Sequence, residues 1–242
     1  MFRAASLILI RDSAEAEPQI LMVERSPAMA FAAGAFVFPG GRVDPGDERL
    51  AEKPDDAPRI AAIRECIEES GIAVGLEPVP SAERAREIQA ALLDCKDFAA
   101  ILERYELGLD LDALTPFARW MPGPEVSQRF DTSFFIAEAP AGDWLPHTPA
   151  GGECVSGRWV TAKQMLDEED RGEAKLMYPT RKSLERLALH RSFAAMRDDA
   201  ERYPVQPITP VRDADGEGQW LTIPEGLGYP ITRDPVDKVR RG

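Results

Sequence analysis

Histidine and cysteine are scarce in this chain. Among 242 residues there are two histidines and three cysteines: His147, His190, Cys66, Cys95 and Cys154. The cysteines are widely separated, and none stands at a spacing typical of zinc ligands or of a disulfide framework. We therefore expect structural roles for the histidines, and reduced thiols in a cytoplasmic protein.

Positive charge is also in deficit. The chain carries 29 Lys and Arg against 42 Asp and Glu, a formal net charge of −13. Such a charge repels phosphate backbones, so we expect no nucleic-acid partner. The same field repels a phosphorylated small molecule unless a cation lies between them.

Long apolar runs are missing as well. No stretch approaches the length that spans a bilayer, so we expect no membrane partner. The apolar run over residues 1–10 is followed at once by Arg11 and Asp12, and it has no small-residue cleavage site. It therefore predicts a core strand rather than a signal peptide.

Acidic residues, in contrast, are crowded in one segment. As a helix, residues 60–72 place Ile60, Ile63 and Ile67 on one face. The other face carries three carboxylates: Glu65, Glu68 and Glu69. Like charges at these spacings repel, and acids in the last turn oppose the helix dipole. This unfavourable arrangement predicts an oxygen-ligated site for Mg²⁺ or Mn²⁺; the alternative is a solvated acidic face.

A glycine-rich loop precedes this helix. Residues 35–38 form a short apolar segment that Pro39 ends, which predicts a strand. Gly40 and Gly41 open a loop that runs to Asp47. Glycine lets the backbone turn tightly and approach a ligand closely, so loop and helix together favour one binding site.

Loop and helix resemble the box of the Nudix hydrolase family, G-x5-E-x7-R-E-U-x-E-E-x-G-U, where U is a bulky apolar residue. Asp47 stands in the first acidic position, where the family usually has glutamate. Sixteen residues instead of seven follow it, and the polar segment 48–58 with its two prolines predicts an enlarged loop. Eight fixed positions match: Gly41, Arg64, Glu65, Ile67, Glu68, Glu69, Gly71 and Ile72.

Other segments resemble the peroxisomal coenzyme A diphosphatase branch of that family. They are residues 24–27, 34–41, 114–120 and 129–135, within a similarity over roughly residues 1–190. The resemblance implies metal-dependent hydrolysis of the diphosphate in a nucleoside diphosphate linked to another group, with coenzyme A or acyl-CoA as favoured substrate. The alternatives are an ADP-ribose, NADH or dinucleotide pyrophosphatase and a non-catalytic Nudix ligand sensor.

The resemblance also implies roles for box residues. Glu65 and Glu69 are the first candidates for catalytic Mg²⁺ or Mn²⁺ ligands, Glu68 is the next, and Gly41 offers a backbone carbonyl. Arg64, in the catalytic box, is expected to hold the carboxylate of the first acidic position. The general base stays open, since family members place it in the box or on a distant loop.

Three cations and one acid outside the box complete the candidate set. Arg25, Arg119 and Arg129 are candidate contacts to substrate phosphates, with structural salt bridges as the alternative. Glu153, at the start of a late strand, is a candidate auxiliary acid, with a plain surface glutamate as the alternative. The expected partner is a small nucleotide-type molecule, and a homodimer is left open.

Strand patterns recur along the chain. Ala4–Ile10 and Gln19–Glu24 predict a hairpin. Thr161 and Gln164 form a capping-box pattern that opens a short helix. Three later segments predict further strands: Leu114–Trp120, Arg129–Ala137 and Cys154–Val160.

Helical patterns alternate with these strands. Residues 81–106 predict an inserted helical segment, divided at Asp94 or Asp97, that shapes a substrate pocket or serves packing or a dimer contact. Residues 179–196 predict one long amphipathic helix. We expect an α/β fold, a Nudix-type α/β/α sandwich with a mixed sheet in residues 1–200. A C-terminal extension, 201–242, should be extended or form an edge hairpin.

Overall fold

The computed structural model describes the chain except residues 14, 15, 31, 96, 124–129, 217 and 240–242. Its strands are β1 (Phe2–Arg11), β2 (Gln19–Arg25), β3 (Phe36–Val37), β4 (Gly40–Arg42), β5 (Leu76–Glu77), β6 (Gly108–Leu109), β7 (Thr115–Trp120), β8 (Phe130–Glu138), β9 (Cys154–Thr161), β10 (Pro207–Ile208), β11 (Val211–Asp215), β12 (Gly218–Thr222) and β13 (Arg233–Pro235). Its helices are α1 (Pro45–Leu50), α2 (Asp56–Ser70), α3 (Ala82–Cys95), α4 (Phe98–Tyr105), α5 (Ala162–Asp170), α6 (Tyr178–Leu187), α7 (Phe193–Arg202) and α8 (Val236–Val239).

Within the described residues, eight strands form one mixed sheet. The order is β10-β7-β8-β1-β2-β3, with β4 also paired to β1 and β9 also paired to β2. β1 runs parallel to β8 along its length and antiparallel to β2 at only two residue pairs, Ile10↔Ile20 and Arg11↔Gln19. The predicted hairpin is confirmed at these pairs, whereas β4 occupies the same edge of β1 at residues 4–6.

Helices cover both faces of this sheet, which confirms the α/β/α sandwich. Side chains alternate along β1, so Leu7 and Leu9 pack with α2, α3 and α4 on one face. Ile8 and Ile10 pack with α5, α6 and α7 on the other face. None of the described helices is both long enough and apolar enough to cross a bilayer.

The spacer before the acidic helix is more helical than predicted. α1 ends at Leu50 and α2 begins at Asp56, so the prediction of one continuous loop over residues 48–58 is wrong. The Asp44 N–H donates to Asp47 Oδ2 at 2.8 Å, which stabilises the start of α1. Pro58 lies in the first turn of α2, where the missing N–H removes no intrahelical bond.

Of the other helical predictions, two are confirmed and one is wrong. The inserted segment is confirmed, with Asp97 at the boundary where α4 begins, and Thr161 and Gln164 cap α5 as predicted. The single helix over residues 179–196 is wrong, because α6 ends at Leu187 and α7 begins at Phe193. The Phe193 N–H donates to Asp12 Oδ1 at 2.8 Å, so a distant residue stabilises the second start.

The C-terminal segment contributes to two sheets. β10 joins the main sheet parallel to β7, and β11, β12 and β13 form a separate antiparallel sheet. Lys182 Nζ on α6 lies 2.7 Å from Asp234 Oδ2, which anchors β13 to the sandwich. A hairpin is confirmed for β11 and β12, but it lies in the separate sheet rather than at an edge of the main sheet. The domain boundary at residue 200 stays a prediction.

Candidate active site

The acidic helix α2 has the two faces that the sequence predicts. Ile60, Ile63 and Ile67 are fully buried against the sheet. Gly71 ends the helix with a φ of +67°, a conformation that favours glycine because it has no Cβ. The helix therefore directs its glutamates toward β4 and the loop that follows it.

Arg64 organises the carboxylates around it. Its Nε and Nη2 donate to the two oxygens of Asp47 at 3.0 and 2.9 Å, a bidentate pair that is almost fully buried. Its Nη1 donates to Glu65 Oε1 at 2.8 Å and to Glu68 Oε1 at 3.4 Å. The shorter Asp47 side chain and the lengthened spacer thus preserve the pairing expected for the first acidic position.

Glu65 lies directly against the backbone of Gly41. A Cβ at Gly41 would lie 2.4 Å from Glu65 Oε1, so only glycine leaves room for the carboxylate. Burial raises the pKa of Glu65 to about 8; Arg64 opposes the shift, and Glu69 and Glu68 add to it. The ionised carboxylate is therefore poorly compensated at this position.

Glu69 is held by two donors from different strands. The Gly40 N–H donates to Oε2 at 3.0 Å, and Cys154 Sγ donates to Oε1 at 3.3 Å. Burial raises the pKa of Glu69 to about 7; these two donors and the charge of Arg25 lower it, and the charge of Glu153 raises it. Arg25 and Glu153 therefore lie within electrostatic reach of Glu69.

Known proteins resemble this chain in sequence and in fold. A family model described as the NUDIX domain matches residues 1–91. A crystal structure of a NUDIX hydrolase from Alicyclobacillus acidocaldarius is 29% identical, covers 82% of this chain and 96% of that chain, and superimposes with a TM-score of 0.71. The chain resembles Nudix hydrolases in sequence over residues 1–91 and in its fold. A Caenorhabditis elegans protein designated nudix hydrolase 7 is 27% identical over 189 residues, which are 76% of this chain.

This relative is longer than the region of similarity. The chain spans 60% of the length of the C. elegans protein. Its similarity to the Alicyclobacillus structure, in contrast, covers nearly all of that chain. The fold and a similarity to Nudix hydrolases are therefore shown for this chain, and its reaction and substrate are proposals.

The structure brings most of the predicted Nudix site together. Arg64, Glu65, Glu68, Glu69 and Gly41 lie around one point between α2 and β4. At the rim, Arg25 Nη2 lies 3.3 Å from Glu153 Oε2, and the Glu153 side chain is 65% exposed.

The other two arginines lie elsewhere or outside the described residues. Arg119 makes a bidentate pair with Asp131, at 2.7 and 2.6 Å, between β7 and β8. Arg129 falls outside the described residues. Contact of either with a substrate phosphate stays a prediction.

The donor set fits a hard divalent cation. Arg64 contacts three carboxylates, those of Asp47, Glu65 and Glu68. The fourth, Glu69, is held by Gly40 and Cys154 within electrostatic reach of Glu65, and burial also raises the pKa of Glu68. All donors are oxygens, which suits Mg²⁺ or Mn²⁺. Within the described part of the chain, no three Asp, Glu, His or Cys side chains are already arranged as metal ligands, since Arg64, Gly40 and Cys154 hold them.

Two contacts of this site were not predicted from the sequence. The first is the hydrogen bond from Cys154 to Glu69. In the sequence Cys154 has no metal-like spacing, although it directly follows the candidate Glu153. Gln89 on α3 donates from Nε2 to the main-chain oxygens of Glu68 and His147, both at 2.9 Å. The inserted helix thus contacts the end of α2, and His147 has the structural contact predicted for it.

A cation and two aromatic rings lie next to the box. The Arg42 guanidinium carbon lies 4.1 Å from the ring centre of Phe2 and 5.4 Å from that of Phe130. The Arg42 carbonyl accepts a hydrogen bond from Arg64 Nη2 at 2.9 Å. Phe2 is 55% exposed, so this group is accessible from solvent.

Proposed function

We propose that this protein hydrolyses the diphosphate linkage of a nucleoside diphosphate joined to another group, and that it requires Mg²⁺ or Mn²⁺. The observation that carries the proposal is the excess of buried carboxylate around Arg64. A folded protein gains nothing from an uncompensated buried charge, whereas a bound dication would balance it. The similarity to Nudix hydrolases supports the same reaction class.

The box residues have separate tasks in this proposal. Glu65, Glu69 and then Glu68 hold the cation, with a backbone carbonyl of Gly41 as a further ligand. A dication at this position supplies positive charge against the diphosphate and lowers the pKa of a water molecule. Arg64 keeps Glu65 and Glu68 beside Asp47, so the carboxylates do not separate. A box glutamate or Glu153 accepts the proton of the attacking water.

For the substrate, we propose coenzyme A or an acyl-CoA. The narrower sequence resemblance supports this choice. The rings of Phe2 and Phe130, with Arg42 between them and the box, offer a surface for a base that carries phosphate. Arg25, Arg119 and Arg129 are the proposed phosphate contacts. The protein then acts on a small nucleotide-type molecule, which we place in the cytoplasm.

Substrate competition tests this proposal. Purified protein is incubated with coenzyme A, ADP-ribose, NADH and dinucleoside polyphosphates, in Mg²⁺, in Mn²⁺ and in excess chelator. We expect the highest kcat/KM for coenzyme A, with 3′,5′-phosphorylated adenosine and phosphopantetheine as products, and no turnover without metal. Turnover of ADP-ribose without turnover of coenzyme A would overturn the substrate, and metal-independent turnover would overturn the mechanism.

A non-catalytic ligand sensor is the second candidate. A sensor requires only a binding pocket. The sensor hypothesis therefore does not explain why all three box glutamates are present together, with Glu69 buried and Glu65 and Glu68 half-buried. Tight binding of a nucleotide by calorimetry, without product formation on any substrate in either metal, would favour the sensor.

A further inference from the structure

Cys154 occupies a defined position beside the acidic box. It is the first residue of β9 and pairs with Arg25 of β2, where the register of the two strands shifts. The Ser26 N–H donates to the Glu153 carbonyl at 2.8 Å, which fixes the start of β9. The Cys154 side chain is buried, with 3% of its surface exposed, and its Sγ lies 3.3 Å from Glu69 Oε1.

The two oxygens of Glu69 therefore have one donor each. Oε1 accepts from the Cys154 thiol, and Oε2 accepts from the Gly40 N–H at 3.0 Å. These donors belong to β9 and β4, on strands that do not pair with each other. A carboxylate has about four acceptor positions, so two donors fix its plane and still leave acceptor positions for a cation.

A thiol suits this task because it is a neutral donor. Arg64 also orients carboxylates, but its charge competes with a dication for Glu65 and Glu68. Cys154 adds no positive charge at Glu69, so it orients the ligand without opposing the cation. Partners that hold a metal ligand in this way commonly change metal affinity by about 10- to 100-fold when they are removed.

We infer that Cys154 is a positioning residue, whose thiol holds Glu69 in the orientation that binds the divalent cation. The inference rests on the proposed metal-dependent function and adds a residue outside the box to it. It is distinct from any role of Cys154 as a ligand, because Mg²⁺ and Mn²⁺ prefer oxygen donors.

The test is the affinity for Mn²⁺, measured by calorimetry and by the paramagnetic resonance of free Mn²⁺, without substrate. Cys154→Ala and Cys154→Val both remove the donor, and valine also fills the space. We expect each to weaken Mn²⁺ binding by about tenfold. Cys154→Ser retains a donor, so its Mn²⁺ affinity should stay within about threefold of the wild-type value.

Cys66→Ala is the matched control. Cys66 is also buried and lies on α2, but its thiol contacts Ser70 Oγ rather than a box carboxylate. We expect no change in Mn²⁺ affinity for this variant. An unchanged affinity in Cys154→Ala and Cys154→Val, or an equal loss in Cys66→Ala, would overturn the inference. Failure of the wild-type protein to bind Mn²⁺ would instead overturn the proposed function.

Discussion

Two ionic clusters lie on opposite faces of the main sheet, and they differ in how their acids are held. In the α6 cluster every acid contacts at least one cation: Arg181 contacts Glu169, Asp170 and Glu185, Lys182 contacts Glu185 and Asp234, and Arg186 contacts Asp199. In the box cluster, the guanidinium of Arg64 contacts Asp47, Glu65 and Glu68, and the hydrogen bonds to Glu69 come from two neutral donors, the Gly40 N–H and the Cys154 thiol.

The comparison separates a structural cluster from a functional one. Every acid of the α6 cluster is paired with a cation, and these pairs fix α6 against α5, α7 and β13. The box cluster is incomplete, since burial raises the pKa of Glu65 to about 8 and of Glu69 to about 7. Uncompensated charge of this kind is typical of a site that receives a ligand. A variant of the box cluster should therefore change activity, whereas a variant of the α6 cluster should change stability.

The largest effect is expected for Glu69→Gln. The amide keeps the shape but removes the charge that holds the cation, so kcat/KM should fall by about 1000-fold, or about 4 kcal/mol. Metal-free stability should stay equal or rise, because a buried charge is lost. Steady-state kinetics measure kcat/KM, and urea denaturation measures the metal-free stability. Glu52→Gln, an exposed residue of the spacer, is the control; wild-type turnover by Glu69→Gln would contradict the metal site.

Lys182→Met should reverse this pattern. The change leaves Glu185 and Asp234 without Lys182, which is fully buried, and should destabilise the fold by about 3 kcal/mol. Because the α6 cluster lies on the other face, kcat/KM of the folded fraction should stay within about twofold. Urea denaturation and active-site titration test this, with the exposed Lys163→Met as control. A loss of activity without loss of stability would remove the distinction between the clusters.

The sequence predicted those parts of the fold that depend on neighbouring residues. The two faces of α2 and the capping of α5 follow from periodicity and from caps within a few residues. Asp97 marks the boundary before α4 as predicted, although its side chain makes no capping hydrogen bond. The break between α6 and α7 was missed, although Ser192 caps α7 locally by accepting from the Ala195 N–H at 3.2 Å. The other bond at this start, from the Phe193 N–H to Asp12, joins residues 181 positions apart. The charged residues of α6 were likewise missed as a buried set, since their partners lie on other elements.

In the candidate site too, contacts between neighbouring residues were predicted from the sequence and contacts between distant residues were not. The contiguous motif predicted the box residues, and the pairing of Arg64 with Asp47 formed despite the lengthened spacer. The hydrogen bond from Cys154 to Glu69 joins residues 85 positions apart. No local pattern predicts such a pair, because only the register of β9 on β2 brings the thiol to the carboxylate.

The metal-free protein should lose stability as pH rises from about 4.5 to about 8. Both carboxyls have a folded pKa above the ordinary 4.5, so the folded state binds more protons than the unfolded state in this range. Relative to Glu65→Gln/Glu69→Gln, the wild-type protein should lose about 2 kcal/mol between pH 5 and 6. Urea denaturation in the presence of chelator measures the free energy of unfolding at each pH. Excess Mg²⁺ should restore the lost stability. Parallel pH profiles of the two proteins would contradict the raised pKa values.

The smallest effects are expected for Arg25 and Arg119, the two proposed phosphate contacts that the structure describes. Arg25 lies within electrostatic reach of Glu69, so Arg25→Ala should raise KM by about tenfold, or about 1.4 kcal/mol. Arg119 is already in a bidentate pair with Asp131, and its side chain is 43% exposed, so Arg119→Ala should raise KM by less than about threefold. Initial rates across substrate concentrations measure both, with the exposed Arg171→Ala as control. A larger effect at Arg119 than at Arg25 would move the phosphate contacts from the rim of the box to β7.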